Sequence, residues 1–170
     1  MNWTWIILAA SVVVIVFGFV VAFGAPYVPT LKSQRESALD LFDFEAGQTL
    51  VELGCGDGSM VLAAAKRGLK VYGYELNPVL LLITYARTFK YRKHVILTLG
   101  NFWNGVWPRT DGIYVFLLDR YMIKLNKKII HNYPSQKIKL VSYAFRVPDR
   151  KHISENNGMY LYEYKPSTDS

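Results

Sequence analysis

Residues 52–58 run Glu52-Leu53-Gly54-Cys55-Gly56-Asp57-Gly58, and Glu75 stands 21 positions after Gly54. Glycines so spaced permit positive φ and let a ligand approach the backbone closely. A dinucleotide fingerprint would carry its third glycine at position 59, where this chain has Ser59. Asp57 stands at a helix entrance, where backbone N–H groups would otherwise hold a pyrophosphate and a carboxylate repels one. A phosphate-free, positively charged ligand suits the turn better, and S-adenosylmethionine (SAM), with its sulfonium and amino group, is one. Glu75 ends a strand at the spacing where an acidic side chain takes the two ribose hydroxyls of an adenosine.

Further along, Gly100-Asn101-Phe102-Trp103 falls where an adenine lies in a doubly wound fold. Asn101 is placed to bond the exocyclic amine and Phe102 or Trp103 to cover the ring, although these aromatics read equally well as core. Asp119 closes Leu117-Leu118-Asp119 at the edge where a methyl acceptor enters. Two roles stay open for it, orienting or deprotonating the acceptor and capping the next helix. Methyl transfer from a sulfonium is an in-line displacement with a neutral leaving group, so alignment is the main requirement. No Ser/His/Asp set is needed. His94, His131 and His152 are dispersed without metal-ligand spacing, and no metal is expected. An amine acceptor must lose its proton, which an apolar pocket favours. Tyr27, Tyr121 and Tyr143 are candidates to line that pocket or, alternatively, plain packing aromatics.

These residues need strands that end at one edge. The sequence predicts a helix from a Thr30 cap to about Phe44, a strand over 49–53, a helix over 59–66 and a strand over 70–74. Asn77-Pro78 opens a helix to about Tyr91. Strands over 94–99 and 112–118, a helix over 121–132 and strands over 137–145 and 159–164 follow. Alternating strands and helices imply an α/β, Rossmann-like, doubly wound and mostly parallel sheet.

The chain has 170 residues and is 51% hydrophobic, yet all 33 charged residues follow position 31, so the last 139 residues are 24% charged. That is the usage of an ordinary soluble domain. Trp3 to Phe23 carries no charge and, as a helix, spans about 31 Å, enough for one membrane pass. Trp3, Trp5 and Tyr27 fall where interfacial aromatics belong. A cleaved signal peptide competes, but no Lys or Arg precedes the run and the run is long for one. The expected organisation is a transmembrane anchor over 1–25, a linker and pre-domain helix over 26–46, a SAM-binding domain over 47–165 and a tail over 166–170. Lys32 and Arg35 follow the anchor, so the positive-inside rule puts the domain on the cytoplasmic side, or the matrix side in a mitochondrion. The lone Cys55 excludes a disulfide scaffold. The +7 net charge suits an anionic membrane surface, an acidic substrate or nucleic acid.

The chain resembles the class I, seven-β-strand SAM-dependent methyltransferases. More narrowly, it resembles the membrane-anchored protein-lysine methyltransferases of the mitochondrial ATP synthase c-subunit and the adenine nucleotide translocase, with their prokaryotic relatives. The resemblance rests on 26–30 (PYVPT), the 52–58 turn, 73–78 (GYELNP), 101–103 (NFW), 114–116 (YVF) with Met122 and 125–128 (LNKK), and 141–145 (VSYAF) with Pro148. It implies SAM binding by Glu52, Gly54, Gly56, Asp57, Gly58 and Glu75, joined by Cys55 and Leu76. It also implies that the segment of Tyr27, Pro29 and Thr30 lies beside cofactor and substrate. Asn101 and Asp119 depart from the family's usual Asp and Pro. The expected activity is methylation of a lysine in a membrane or membrane-adjacent protein. A lipid or small-molecule methyltransferase, a SAM-fold module without activity, and a nucleic-acid methyltransferase using Arg87, Lys90, Arg92 and Lys93 are the alternatives.

Overall fold

Short runs of β-branched and aromatic residues pair into one seven-stranded sheet in the computed structural model, which describes residues 3–8, 10, 11, 14 and 30–166. The strands are β1 Thr49–Leu53, β2 Lys70–Glu75, β3 Val95–Leu99, β4 Gly112–Val115, β5 Ile138–Tyr143, β6 Ser154–Asn156 and β7 Met159–Tyr164. The helices are α1 Lys32–Phe42, α2 Ser59–Lys66, α3 Pro78–Thr88 and α4 Met122–Asn132. The order across the sheet is β3-β2-β1-β4-β5-β7-β6. The first five strands are parallel, while β7 runs antiparallel to β5 and to β6. This is a class I methyltransferase-like α/β fold, wound on both faces.

Period-two burial decides which face each side chain meets. Leu50, Tyr114, Val141 and Met159 face α1, α2 and α3, where Leu39, Phe42, Met60 and Ala64 complete one core. Val51, Leu53, Ile113, Val115 and Leu140 form the other core with Met122, Leu125 and Ile129 of α4, which recur at helical spacing. Because Ala38, Leu39 and Phe42 are fully or nearly fully buried, α1 shares the domain's core.

Thr30 does not cap α1. The cap is Leu31, whose N–H donates to Gln34 Oε1 at 2.8 Å. Strand β5 stops at Tyr143 because Ala144 adopts φ +65°, and β4 ends at Val115, short of Leu118. The added β6 has three exposed residues and therefore no apolar signature. Among the described residues no helix is long and apolar enough to cross a membrane. Most of the expected Trp3–Phe23 span, and all of 26–29 with Tyr27 and Pro29, lie outside the described residues.

Candidate active site

Strand β1 delivers the glycine turn to the carboxyl edge of the sheet. Gly54 has φ +87° and nothing within 4 Å of where a Cβ would stand, so its exposed backbone is open to a ligand. Its N–H and that of Cys55 both donate to the Tyr74 carbonyl, at 2.9 and 2.8 Å, tying the turn to β2. The Cys55 thiol is buried against Gly73, and burial raises its pKa, so this residue offers the turn only its backbone.

Glu75 is buried and bridges two elements. Its Oε2 accepts the Gly56 N–H and its Oε1 the Asn77 N–H, both at 2.8 Å. Asn77 in turn caps α3, its Oδ1 accepting from Val79 N at 2.9 Å, with Pro78 at the first helical position. The Thr84 hydroxyl, fully buried on α3, donates to the Gly56 carbonyl at 2.8 Å. Gly58 has φ +74°, and a Cβ there would meet Thr84 Cγ2 at 2.4 Å. Asp57 accepts from the Ser59 hydroxyl at 2.8 Å and pairs with Arg87 of α3. Thr84 and Arg87 are turn-holding residues that sequence reasoning missed. Both lie on a helix whose polar inner positions were the available signal, and Arg87 reads in sequence as part of a basic face.

Glu52 and Tyr114 are register partners on β1 and β4, so their side chains stand together on the α1 face. Both are buried; among the described residues Glu52 Oε2 has no hydrogen-bond partner, while the Tyr114 hydroxyl meets the Thr30 side chain. Burial first, then the charges of Asp57 and Glu75, push the Glu52 carboxyl well above the usual carboxylate range. A hydrogen bond from Val61 N–H and the Arg35 charge act the other way. Burial likewise raises the Tyr114 phenol, and Thr30 and Arg35 oppose the shift. Tyr143, two residues beyond Val141 on the same face, accepts from Gln34 Nε2 and lies 4.6 Å from the Phe116 ring. The start of α1 thus closes over Glu52, Tyr114 and Tyr143, and brings Thr30 to them. Tyr114, Gln34 and Arg35 were missed in sequence, since strand register and the fold-back of α1 place them there.

The other expected residues divide. Asn101 is exposed, and its Oδ1 accepts Trp103 N–H at 3.0 Å, which leaves one lone pair for a ligand. Phe102 packs on the α4-side core, 4.7 Å from Trp103. Tyr121 belongs to that side too, 6.2 Å from Trp103, and is not brought to Tyr143. Asp119 is exposed at the carboxyl edge and caps neither its own short 3₁₀ turn nor α4. Leu76 is half-buried beside Glu75.

A buried Glu52 carboxyl oxygen with no partner among the described residues, at the start of a glycine turn, calls for a donor or a cation, since leaving it so costs about 1–3 kcal/mol. The residues present therefore fit a ligand with an amino group and a sulfonium.

The family model described as the ANTKMT methyltransferase domain matches residues 52–154. The Homo sapiens lysine N-methyltransferase of the ATP synthase c-subunit is 32% identical over 108 residues, 61% of this chain and 45% of that protein. The Mus musculus adenine nucleotide translocase lysine N-methyltransferase is 47% identical over 128 residues, 72% and 54% of the two chains. The chain spans about half the length of these curated relatives. Among solved structures, an RNA methyltransferase from Salinibacter ruber in complex with S-adenosyl-L-homocysteine superposes with TM-score 0.72 at 23% identity, over 84% of this chain and 97% of that one. At that identity the likeness speaks for the fold.

Proposed function

From the premise that this chain belongs to the family of the ANTKMT methyltransferase domain, we propose that it is a SAM-dependent protein-lysine N-methyltransferase acting on a protein in or beside a membrane. The observation that carries the reading is the pair of buried carboxylates, Glu52 and Glu75, bracketing the glycine turn. The relatives named for lysine methylation of the ATP synthase c-subunit and of the adenine nucleotide translocase support the substrate class.

Bound SAM supplies an activated methyl group on a positively charged sulfur. Glu75 holds the ribose hydroxyls with the lone pairs left over from Gly56 and Asn77. Glu52 Oε2 takes the cofactor's cationic end, which offsets the cost of its burial. The bare Gly54 backbone allows close approach, and Leu76, Asn101 and Phe102 border the adenine. The acceptor amine would approach Tyr114 and Tyr143 beneath the start of α1, where burial disfavours the ammonium and frees the lone pair. Asp119, exposed at the same edge, attracts the incoming lysine.

We assign residues 1–25 as a single-pass anchor that sets the domain on the cytoplasmic side, or the matrix side in a mitochondrion. The support is the absence of charge before Lys32 and the basic Lys32 and Arg35 after it. Incubating purified full-length protein and radiolabelled SAM with host membranes tests the proposal. Label recovered on lysines of a membrane protein is the expected result, and label only in extracted lipid refutes it.

A further inference from the structure

Helix α3 is built inside out. Its inward positions include Thr84 and Thr88, fully or nearly fully buried and committed to the Gly56 and Thr84 carbonyls, because the helix bolts down the glycine turn. Its outward positions carry Val79, Leu82, Ile83 and Tyr85, with Phe89 just beyond, and Leu82 is 68% exposed. Leu97 and Leu99 of the edge strand β3 continue this surface, forming with Pro78, Leu81, Leu82 and Tyr85 an apolar groove of ≈ 400 Å³. Exposed apolar surface of this kind marks an interaction site.

Charge identifies the partner. From Leu76 to Thr110 the sequence has no Asp or Glu and five cations, Arg87, Lys90, Arg92, Lys93 and Arg109, of which Arg87 is paired with Asp57. Lys90, Arg92 and Lys93 stand exposed at the end of α3, and the Arg92 guanidinium lies 4.6 Å over the Phe89 ring. An apolar helix face with aromatics and a cationic end, carrying no carboxylate of its own, is the pattern of a helix lying in an anionic bilayer interface. A second copy of this chain would set like charges together. The uncharged first 31 residues offer nothing to the cations. Aliphatic Val79, Leu82 and Ile83 do not stack on nucleic-acid bases.

We infer that α3 and β3 form a docking surface for anionic lipid, which lays one edge of the sheet on the membrane. Cys55 is buried, so a nitroxide attached to Leu82→Cys in the full chain reports this surface alone, with Asn156→Cys on the opposite edge strand β6 as control. The protein is placed in nanodiscs of phosphatidylcholine with or without phosphatidylglycerol. With phosphatidylglycerol, the Leu82 label is expected to relax with oxygen and be shielded from a nickel chelate, while the Asn156 label stays accessible to nickel. Replacing Lys90, Arg92 and Lys93 by Gln is expected to lower the docked-to-undocked ratio about a hundredfold, at about fivefold for each cation. Nickel access at Leu82 equal to that at Asn156 in both lipids overturns the inference. So does shielding that is the same without phosphatidylglycerol, which shows that anionic headgroups play no part. Label–label broadening, the mark of a second copy, and shielding by an RNA oligonucleotide alone overturn it equally.

Discussion

Replacing Glu75 by Gln removes one of two acceptors that each hold a backbone N–H at 2.8 Å, one from the glycine turn and one from the cap of α3. The amide keeps a single oxygen, so either Gly56 or Asn77 then faces an NH₂ group in a buried site. Losing a charged hydrogen bond and stranding its donor costs about 1–3 kcal/mol. For a domain of this size, Tm falls by about 2–4 °C for each kcal/mol. The same change removes one charged acceptor from the ribose hydroxyls, worth about 1.5–3 kcal/mol, or roughly ten- to hundredfold in SAM affinity. Scanning calorimetry of the apo protein and titration calorimetry with SAM measure the two effects separately. Glu75→Ala removes both acceptors and should lie further along both axes. If Glu75→Gln lowers Tm while SAM affinity stays within about twofold, Glu75 staples the turn and does not bind the ribose. If neither quantity moves, the bridging role is also wrong.

Glu52 holds its proton more tightly folded than unfolded, so its contribution to stability is complete below the ordinary glutamate pKa of about 4.3 and is lost as pH rises through the raised folded value. Urea midpoints across that window should therefore fall more steeply for the parent than for Glu52→Gln, and parallel curves would contradict the assignment. Gly58→Ala combines a positive φ, about 1–2 kcal/mol, with a 2.4 Å clash on Thr84 Cγ2, about 1–3 kcal/mol. Thr84→Ser in that background should recover part of the loss in denaturant unfolding, and strict additivity would show that the two groups do not meet. Tyr114→Phe deletes a buried hydroxyl that meets the Thr30 side chain, so stability should fall by no more than about 1 kcal/mol while methylation of the protein substrate slows several-fold at unchanged SAM affinity. A parallel loss of SAM affinity would move Tyr114 into the cofactor site.

The glycine turn, Glu75 at a strand end and Asn77-Pro78 at a helix start were legible in sequence because their chemistry is local. Positive φ, capping and strand length depend on residues within a few positions. For the same reason β1 and α2 begin and end where the pattern places them. Only the tertiary structure joins Glu52 to Tyr114, because that pairing follows from the register of β1 on β4, strands separated by two helices in the chain. It alone shows that Thr84 and Arg87, in a run that reads as a basic helix, anchor the glycine turn. The three-residue β6 was invisible, since every residue in it is exposed and an edge strand paired on one side needs no apolar alternation. Local backbone preference travels with the sequence, whereas which buried polar groups meet depends on how distant strands align, and the chemistry of this site is set by those meetings.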